Sequence, residues 1–126
     1  MNVQLNSWRI VDLAFKETFD AENEHTFELN AGHFFPEEDN KQFFIHFGLD
    51  VFHPDYCIKL KAEFLFEMDE EITEEFKSSN FPKINAPAIA FPFLRAFISN
   101  LVLQSGFEPA ILPSINFVKL ANQEEK

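Results

Sequence analysis

The sequence predicts an α+β fold, in which a four-stranded antiparallel sheet is followed by two helices. Apolar and polar residues alternate over most of the first 68 residues, which is the pattern of strands that bury one face. Beyond residue 86 the apolar residues recur at helical spacing instead. Strands that come first and helices that follow are the order of elements in α+β proteins.

The clearest alternation lies in two stretches that a short turn separates. Odd positions are apolar over residues 43–51, and even positions are apolar over residues 56–68. Between them stand His53, Pro54 and Asp55, whose residue types favour turns. The two stretches are therefore predicted to pair as an antiparallel hairpin with one buried face.

Two further strands are predicted nearer the N-terminus. The first begins near residue 2, and its apolar phase slips by one at Ile10 and Val11, which indicates a β-bulge. The second is expected over residues 25–31, with Phe27 and Leu29 facing inward. The four strands together occupy residues 2–68 of a single predicted domain, residues 1–126.

The second half of this domain is predicted to be largely helical. Its segments are a crossover at 69–86, a long helix at 88–104, a loop at 105–115 and a short helix at 116–122. Pro87 stands near the first turn of the long helix and Gly106 just beyond its end, where these residue types are common. Asn116 is a favourable N-cap for the last helix.

The long helix is apolar on nearly every side. Such a helix needs more cover than one face of a four-stranded sheet provides. A second copy of the chain is the natural source of that cover, so the sequence predicts a homodimer or homotetramer. We expect Phe93, Phe97 and Leu101 to lie in the interface between copies.

Composition and charge limit the classes of binding partner and the cellular compartment that the sequence predicts. The formal charge of −11, from 21 acidic and 10 basic residues, opposes the phosphate backbone and makes nucleic acid a poor partner. The first residues lack a signal pattern, and no uninterrupted apolar run approaches the ~20 residues of a membrane span. A single cysteine, Cys57, excludes an intrachain disulfide. These observations predict a cytoplasmic protein without direct membrane insertion.

The sequence predicts no catalytic, metal or cofactor site. His25 and His33 would stand about 26 Å apart on a straight strand, and His46 and His53 differ in parity. Three glycines cannot build a phosphate-binding loop, and Cys57 lies mid-strand without an activating motif. A non-enzymatic protein is expected, and an enzyme or small-ligand binder is the alternative from a different class.

The chain is rich in Phe, with 18 Phe against one Tyr and one Trp. Phenylalanines at alternating or helical positions are expected in the core. The apolar residues outside clean periodicity are Phe34, Phe35, Phe107, Ile111, Leu112 and Ile115. Loops rich in exposed apolar groups mark binding surfaces, so these six residues are the candidate binding set.

The order of motifs in residues 91–117 resembles one protein family. FPFLRAFIS at 91–99 is followed by GF at 106–107, LP at 112–113 and INF at 115–117. These motifs are similar to the Phe-Pro-aromatic-x-Arg helix and the loop ending in Asn-Phe of the SecB family of bacterial protein-export chaperones. A weaker match is DLAF at residues 12–15, which resembles the family's first strand.

The resemblance implies an ATP-independent chaperone that binds unfolded or presecretory polypeptides in a groove between the sheet and the helix-connecting loop. It also implies docking to the export motor SecA through acidic residues, for which Asp12 and Glu17 are the candidates. The chain departs from the family at Lys16, which replaces an acidic residue, and at Pro109 and Pro113, which are each shifted by one position. Its short C-terminal end points to an alternative, a dedicated chaperone for one client such as an antitoxin.

Overall fold

The computed structural model describes residues 2–20, 22, 24–108 and 112–124. The fold class is confirmed, because a four-stranded antiparallel sheet precedes the helices. The chain divides into two compact units, Met1–Ile72 and Thr73–Lys126. The first unit holds the sheet and the second holds the helices, and that they act as one domain stays a prediction.

The strands are β1 (Val3–Glu17), β2 (Thr26–Phe34), β3 (Gln42–Phe52) and β4 (Tyr56–Met68). Their order in the sheet is β1-β4-β3-β2, and every neighbouring pair is antiparallel. The predicted hairpin is confirmed, because Phe52 pairs with Cys57 where β3 meets β4. In its turn the His53 amide donates to the Tyr56 carbonyl at 3.0 Å.

Strand β1 contains two irregularities. The register with β4 shifts between Ile10 and Asp12, so the predicted bulge is confirmed and Val11 is its extra residue. A second shift, which was not predicted, lies between Leu5 and Ser7. Because each bulge reverses the side-chain parity, Val3, Leu5, Trp8, Ile10, Leu13 and Phe15 all lie on one face, and the bulged Val11 does not.

The two faces of the sheet differ in burial. We define the inner face by the apolar side chains of β3 and β4 that are at most 5% exposed. They are Phe43, Ile45, Phe47, Leu49, Val51, Tyr56, Ile58, Leu60, Ala62, Phe64, Phe66 and Met68. The outer face carries the alternate residues, which are half-buried or exposed. The strict alternation in the sequence therefore maps onto the observed faces.

The helical unit contains α1 (Glu74–Lys77), a π-helical turn (Phe81–Asn85), α2 (Ala86–Gln104) and α3 (Phe117–Glu124). The predicted crossover thus contains one short helix and the π-helical turn. Helix α2 begins two residues before the predicted start, and α3 begins one residue after it.

Side chains and a glycine define the helix ends. The Phe76 amide donates to the hydroxyl of Thr73, the N-cap of α1, at 3.0 Å. After α2, Gly106 has a φ of 95° and its amide donates to the Leu103 carbonyl, which is the Schellman geometry that favours glycine. The predicted cap at Asn116 is confirmed, because its side chain accepts the Lys119 amide at 3.1 Å.

Candidate functional site

Phe34 and Phe35 are adjacent in sequence but differ in their surroundings. Phe34 ends β2 on the outer face, is 54% exposed and lies opposite Phe44, with 6.5 Å between the ring centroids. Phe35 is half-buried, and its ring lies 5.8 Å from that of the buried Phe43. Of this pair, Phe34 is therefore the one that offers most of its surface to a partner.

The predicted loop residues lie in the helical unit. Phe107 and Ile115 are half-buried, and Ile111 lies outside the described residues. The expectation that this loop exposes its apolar groups is wrong for Leu112, which is 1% exposed. A leucine this buried stabilises the fold by apolar burial, whatever else it contributes.

The two candidate docking residues are both exposed but do not share a face. Asp12 lies opposite Lys61 on the outer face, whereas Glu17 pairs with Tyr56, whose side chain is on the inner face. Their separation of five residues gives them opposite parity on the strand. Asp12 and Glu17 therefore do not form one patch by themselves.

Helix α2 carries an exposed apolar stripe. Phe93 is 48% exposed, and Phe97 and Leu101 follow it at intervals of four residues and are half-buried. Ile89 is also exposed, at 44%, and precedes Phe93 by four residues, so it lies on the same side of the helix. Leu103 is 53% exposed but stands two residues from Leu101 and therefore faces another side. Ile89 was not selected from the sequence, although its spacing from Phe93 was a usable signal.

The helical stretch Phe81–Gln104 also meets the length and composition of a membrane span. It has 24 residues, and its most apolar window has a mean hydropathy of 1.6 and is 39% buried within the protein. No such segment was expected from the sequence, because polar residues interrupt the apolar runs. Core helices of soluble proteins meet the same two criteria, so length and composition alone do not decide between the two environments.

The structure brings together two histidines that the sequence analysis treated separately. The His25 and His53 rings are 5.2 Å apart, and His53 stacks on Tyr56 at 4.3 Å. Burial lowers the pKa of His25 from its ordinary value of 6.5, and the nearby His53 lowers it further. The folded state therefore favours the neutral form of His25.

This lowered pKa predicts a pH dependence of stability. The unfolded chain binds the proton more readily, so the free energy of unfolding should decrease as the pH falls below about 6.5. We expect His25→Gln to reduce the slope of unfolding free energy against pH in that range, measured by urea denaturation. An unchanged slope in the variant would show that His25 does not carry the effect.

An open sheet with a solvent-exposed phenylalanine, and a long helix with an exposed apolar stripe, are features of proteins that bind other polypeptides. The family model of the preprotein translocase subunit SecB matches residues 53–126, which is more than half of the chain. The chain therefore belongs to the SecB family.

Individual relatives agree with this assignment. The chain is 26% identical to the protein-export protein SecB of Magnetococcus marinus over 128 residues, covering 91% of this chain and 79% of the relative. It is 31% identical to the SecB of Nitrosomonas europaea over 77 residues, which is 55% of this chain and 48% of that protein. The chain spans less than half the length of several curated relatives that it matches.

A solved structure supports the fold. A SecB-like chaperone of Mycobacterium tuberculosis, in complex with a peptide from the HigA1 antitoxin, matches with a TM-score of 0.70. The match covers 90% of this chain and 87% of that protein at 12% sequence identity. At this identity the comparison establishes the shared fold.

Proposed function

We propose that this protein is an ATP-independent chaperone that holds unfolded and presecretory polypeptides in protein export. The observation that carries the proposal is the SecB match over residues 53–126. The exposed Phe34 and the apolar stripe of α2 support it, because both offer apolar surface. Binding, rather than bond-making, is the proposed activity, so no enzymatic step or cofactor is included.

The proposed mechanism combines apolar burial with backbone hydrogen bonding. An unfolded chain exposes apolar side chains, and their burial against phenylalanine is favourable for many different sequences. The proposed client-binding residues remain Phe34, Phe35, Phe107, Ile111, Leu112 and Ile115, although Leu112 would have to become accessible before a client could touch it.

We expect the wild type to suppress aggregation of a denatured protein without nucleotide, and Phe34→Ser to weaken this suppression. The change removes an apolar ring that is 54% exposed, so the fold should lose little stability. Light scattering of the aggregating client measures the effect. Phe19→Ser is the matched control, because Phe19 is 91% exposed in another part of the sheet unit. Equal losses in both variants would argue against a specific role for Phe34.

We further propose a homodimer or homotetramer in the cytoplasm, without nucleic-acid binding or membrane insertion. The proposed interface contains Phe93, Phe97 and Leu101, and the exposed Ile89 extends it. A second copy that covers this stripe would remove apolar surface from water. The formal charge of −11 supports the proposed lack of affinity for nucleic acid.

For the export role, the proposed partner is SecA, with Asp12 and Glu17 as docking residues. The negative charge of the chain would attract any basic segment, and salt would weaken that attraction in all cases. We therefore expect Asp12→Lys to reduce SecA affinity more than Glu74→Lys, which makes the same charge change at a side chain that is 92% exposed. Isothermal titration calorimetry at low salt measures both affinities. Equal losses would indicate general acidity instead of a docking site.

A second candidate function is a dedicated chaperone for one client. It is favoured by the fold similarity to a SecB-like chaperone that is in complex with an antitoxin peptide. Affinity capture from lysate with identification of the bound proteins separates the two roles. Many secreted precursors would support the export role, and one dominant partner would support the dedicated role.

A further inference from the structure

The outer face of the sheet contains a hollow of about 610 Å³. Its floor lacks side chains because Gly32 and Gly48 both present their missing Cβ on this face. Gly32 pairs with His46, and Gly48 pairs with Lys61 in the next row of the sheet. An added Cβ at either glycine would meet no atom within 4 Å, so the space above both positions is open.

A smaller hollow of about 270 Å³ lies beside the first on the same face. Phe44, Leu65 and Ser7 occupy one row of the sheet and line it together with Arg9. Glu63 lines both hollows and so marks the boundary between them. The smaller hollow therefore has an aromatic and an aliphatic side chain along one side.

The distance between the hollows is set by the register. Leu65, Glu63 and Lys61 are successive outer-face residues of β4, so their rows are separated by about 6.6 Å, the rise of two strand residues. The smaller hollow includes the Leu65 and Glu63 rows, and the larger one includes the Glu63 and Lys61 rows. Side chains two positions apart on an extended polypeptide repeat at the same distance and on the same side.

The charges around the hollows compensate one another. Glu63 lies 3.5 Å from the Arg9 guanidinium and 4.0 Å from His46 Nδ1. Lys61 lies opposite Asp12 across the strand pair. Although the whole chain is strongly acidic, this part of the outer face does not select a ligand of either charge. Uncharged apolar side chains therefore suit these two hollows, because the charged residues around them already compensate one another.

Exposed apolar residues extend the surface on both sides of the hollows. Val11, the bulged residue of β1, is 56% exposed and lines the larger hollow. Phe34, 54% exposed, lies against Phe44 beside the smaller one. The bulge and the strand end thus add apolar contact area at the margins.

We infer that the outer sheet face binds an extended polypeptide segment by receiving two of its large apolar side chains, two positions apart, in these two hollows. The inference rests on the proposed function and adds a second contact surface to it. An aromatic side chain suits the larger hollow, because a ring can pack flat on the glycine backbone of a sheet. The occupant is a client segment, which needs no particular charge.

The decisive variant is Gly48→Val, which fills the larger hollow. The added side chain meets no clash at Cβ, and valine is favoured over glycine inside a strand, so stability should be unchanged or increased. Affinity for a client peptide should instead fall by about tenfold, because the peptide can no longer bury one large apolar side chain in the hollow. Ala14→Val is the matched control, because it adds bulk to the outer face one row beyond Gly48.

The probe is a short capped peptide of Ser and Thr with two Phe residues two positions apart, and the comparison peptide separates them by three. NMR spectra of the backbone amides of the full chain can locate the bound peptide. The chain has three glycines, of which Gly32 and Gly48 lie at the larger hollow and Gly106 lies in the helical unit. We expect the first peptide to change the chemical shifts of the Gly32 and Gly48 amides but not that of Gly106, and Gly48→Val to weaken its binding by about tenfold.

Two results would overturn the inference. One is a peptide that binds equally to wild type, Ala14→Val and Gly48→Val. The other is a chemical-shift change at the Gly106 amide alone, which would place peptide binding in the helical unit. If either occurs while the wild type still suppresses aggregation, the proposed chaperone function stands. A wild type that neither binds the peptide nor suppresses aggregation contradicts both proposals.

Discussion

Leu112→Ser is expected to lower the free energy of unfolding by about 2–5 kcal/mol, the usual cost of truncating a buried leucine. Leu112 is 1% exposed, so the change leaves a cavity and places a hydroxyl in an apolar site. Urea denaturation followed by circular dichroism measures the loss. Phe19→Ser is the control, because its side chain is 91% exposed and the expected change is within about 0.5 kcal/mol.

This result would bear on how chaperone assays are interpreted. A Leu112 variant that holds clients poorly does so at least partly because its fold is weakened. If Leu112→Ser and Phe19→Ser have the same stability, Leu112 is accessible in solution and a direct role in client binding regains support. Holding assays should therefore rely on Phe34, which is 54% exposed.

Phe93→Asp is expected to convert the proposed oligomer to a smaller species while the chain stays folded. Phe93 is 48% exposed within one chain, so the carboxylate can be solvated in a monomer but would be buried without a partner in the interface. Light scattering coupled to size exclusion measures the mass at micromolar concentration. Circular dichroism checks that the helix content is retained.

Ala88→Asp is the matched control for this experiment. Ala88 is also exposed on α2 but lies near its N-terminus, where a carboxylate interacts favourably with the helix dipole. It should leave the mass unchanged. A wild type that is monomeric at the same concentration would contradict the proposed assembly, and an unchanged mass for Phe93→Asp would move the interface away from this stripe.

Several parts of the fold followed from local patterns in the sequence. The alternation in β3 and β4 predicted their buried faces, and the adjacent apolar residues Ile10 and Val11 predicted the first bulge. The bulge near Asn6 was missed, although the apolar residues change from odd positions, Val3 and Leu5, to even positions, Trp8 and Ile10, across it. This change is harder to recognise than the one at Ile10 and Val11, because two polar residues separate the two apolar pairs.

The candidate site was predicted less completely. Phe34 and Phe35 were selected as a pair, but strand parity places Phe34 on the outer face while Phe35 packs against a buried ring. Leu112 looked like an exposed loop residue because it lacks regular periodicity, yet it is buried. Aperiodic apolar residues can be either core or surface, and the sequence contains no signal that separates the two.

By itself the sequence determined the four strands and the two longer helices, the inward phase of each regular strand segment, and the helix ends at Gly106 and Asn116. These are local properties, set by side-chain alternation, helical spacing and short-range hydrogen bonds. Only the tertiary structure decided that β1 lies beside β4, that His25 meets His53, and that Gly32 and Gly48 open one hollow. Alternation states which face of a strand is buried but not which strand is its neighbour, because pairing depends on contacts between residues far apart in the chain.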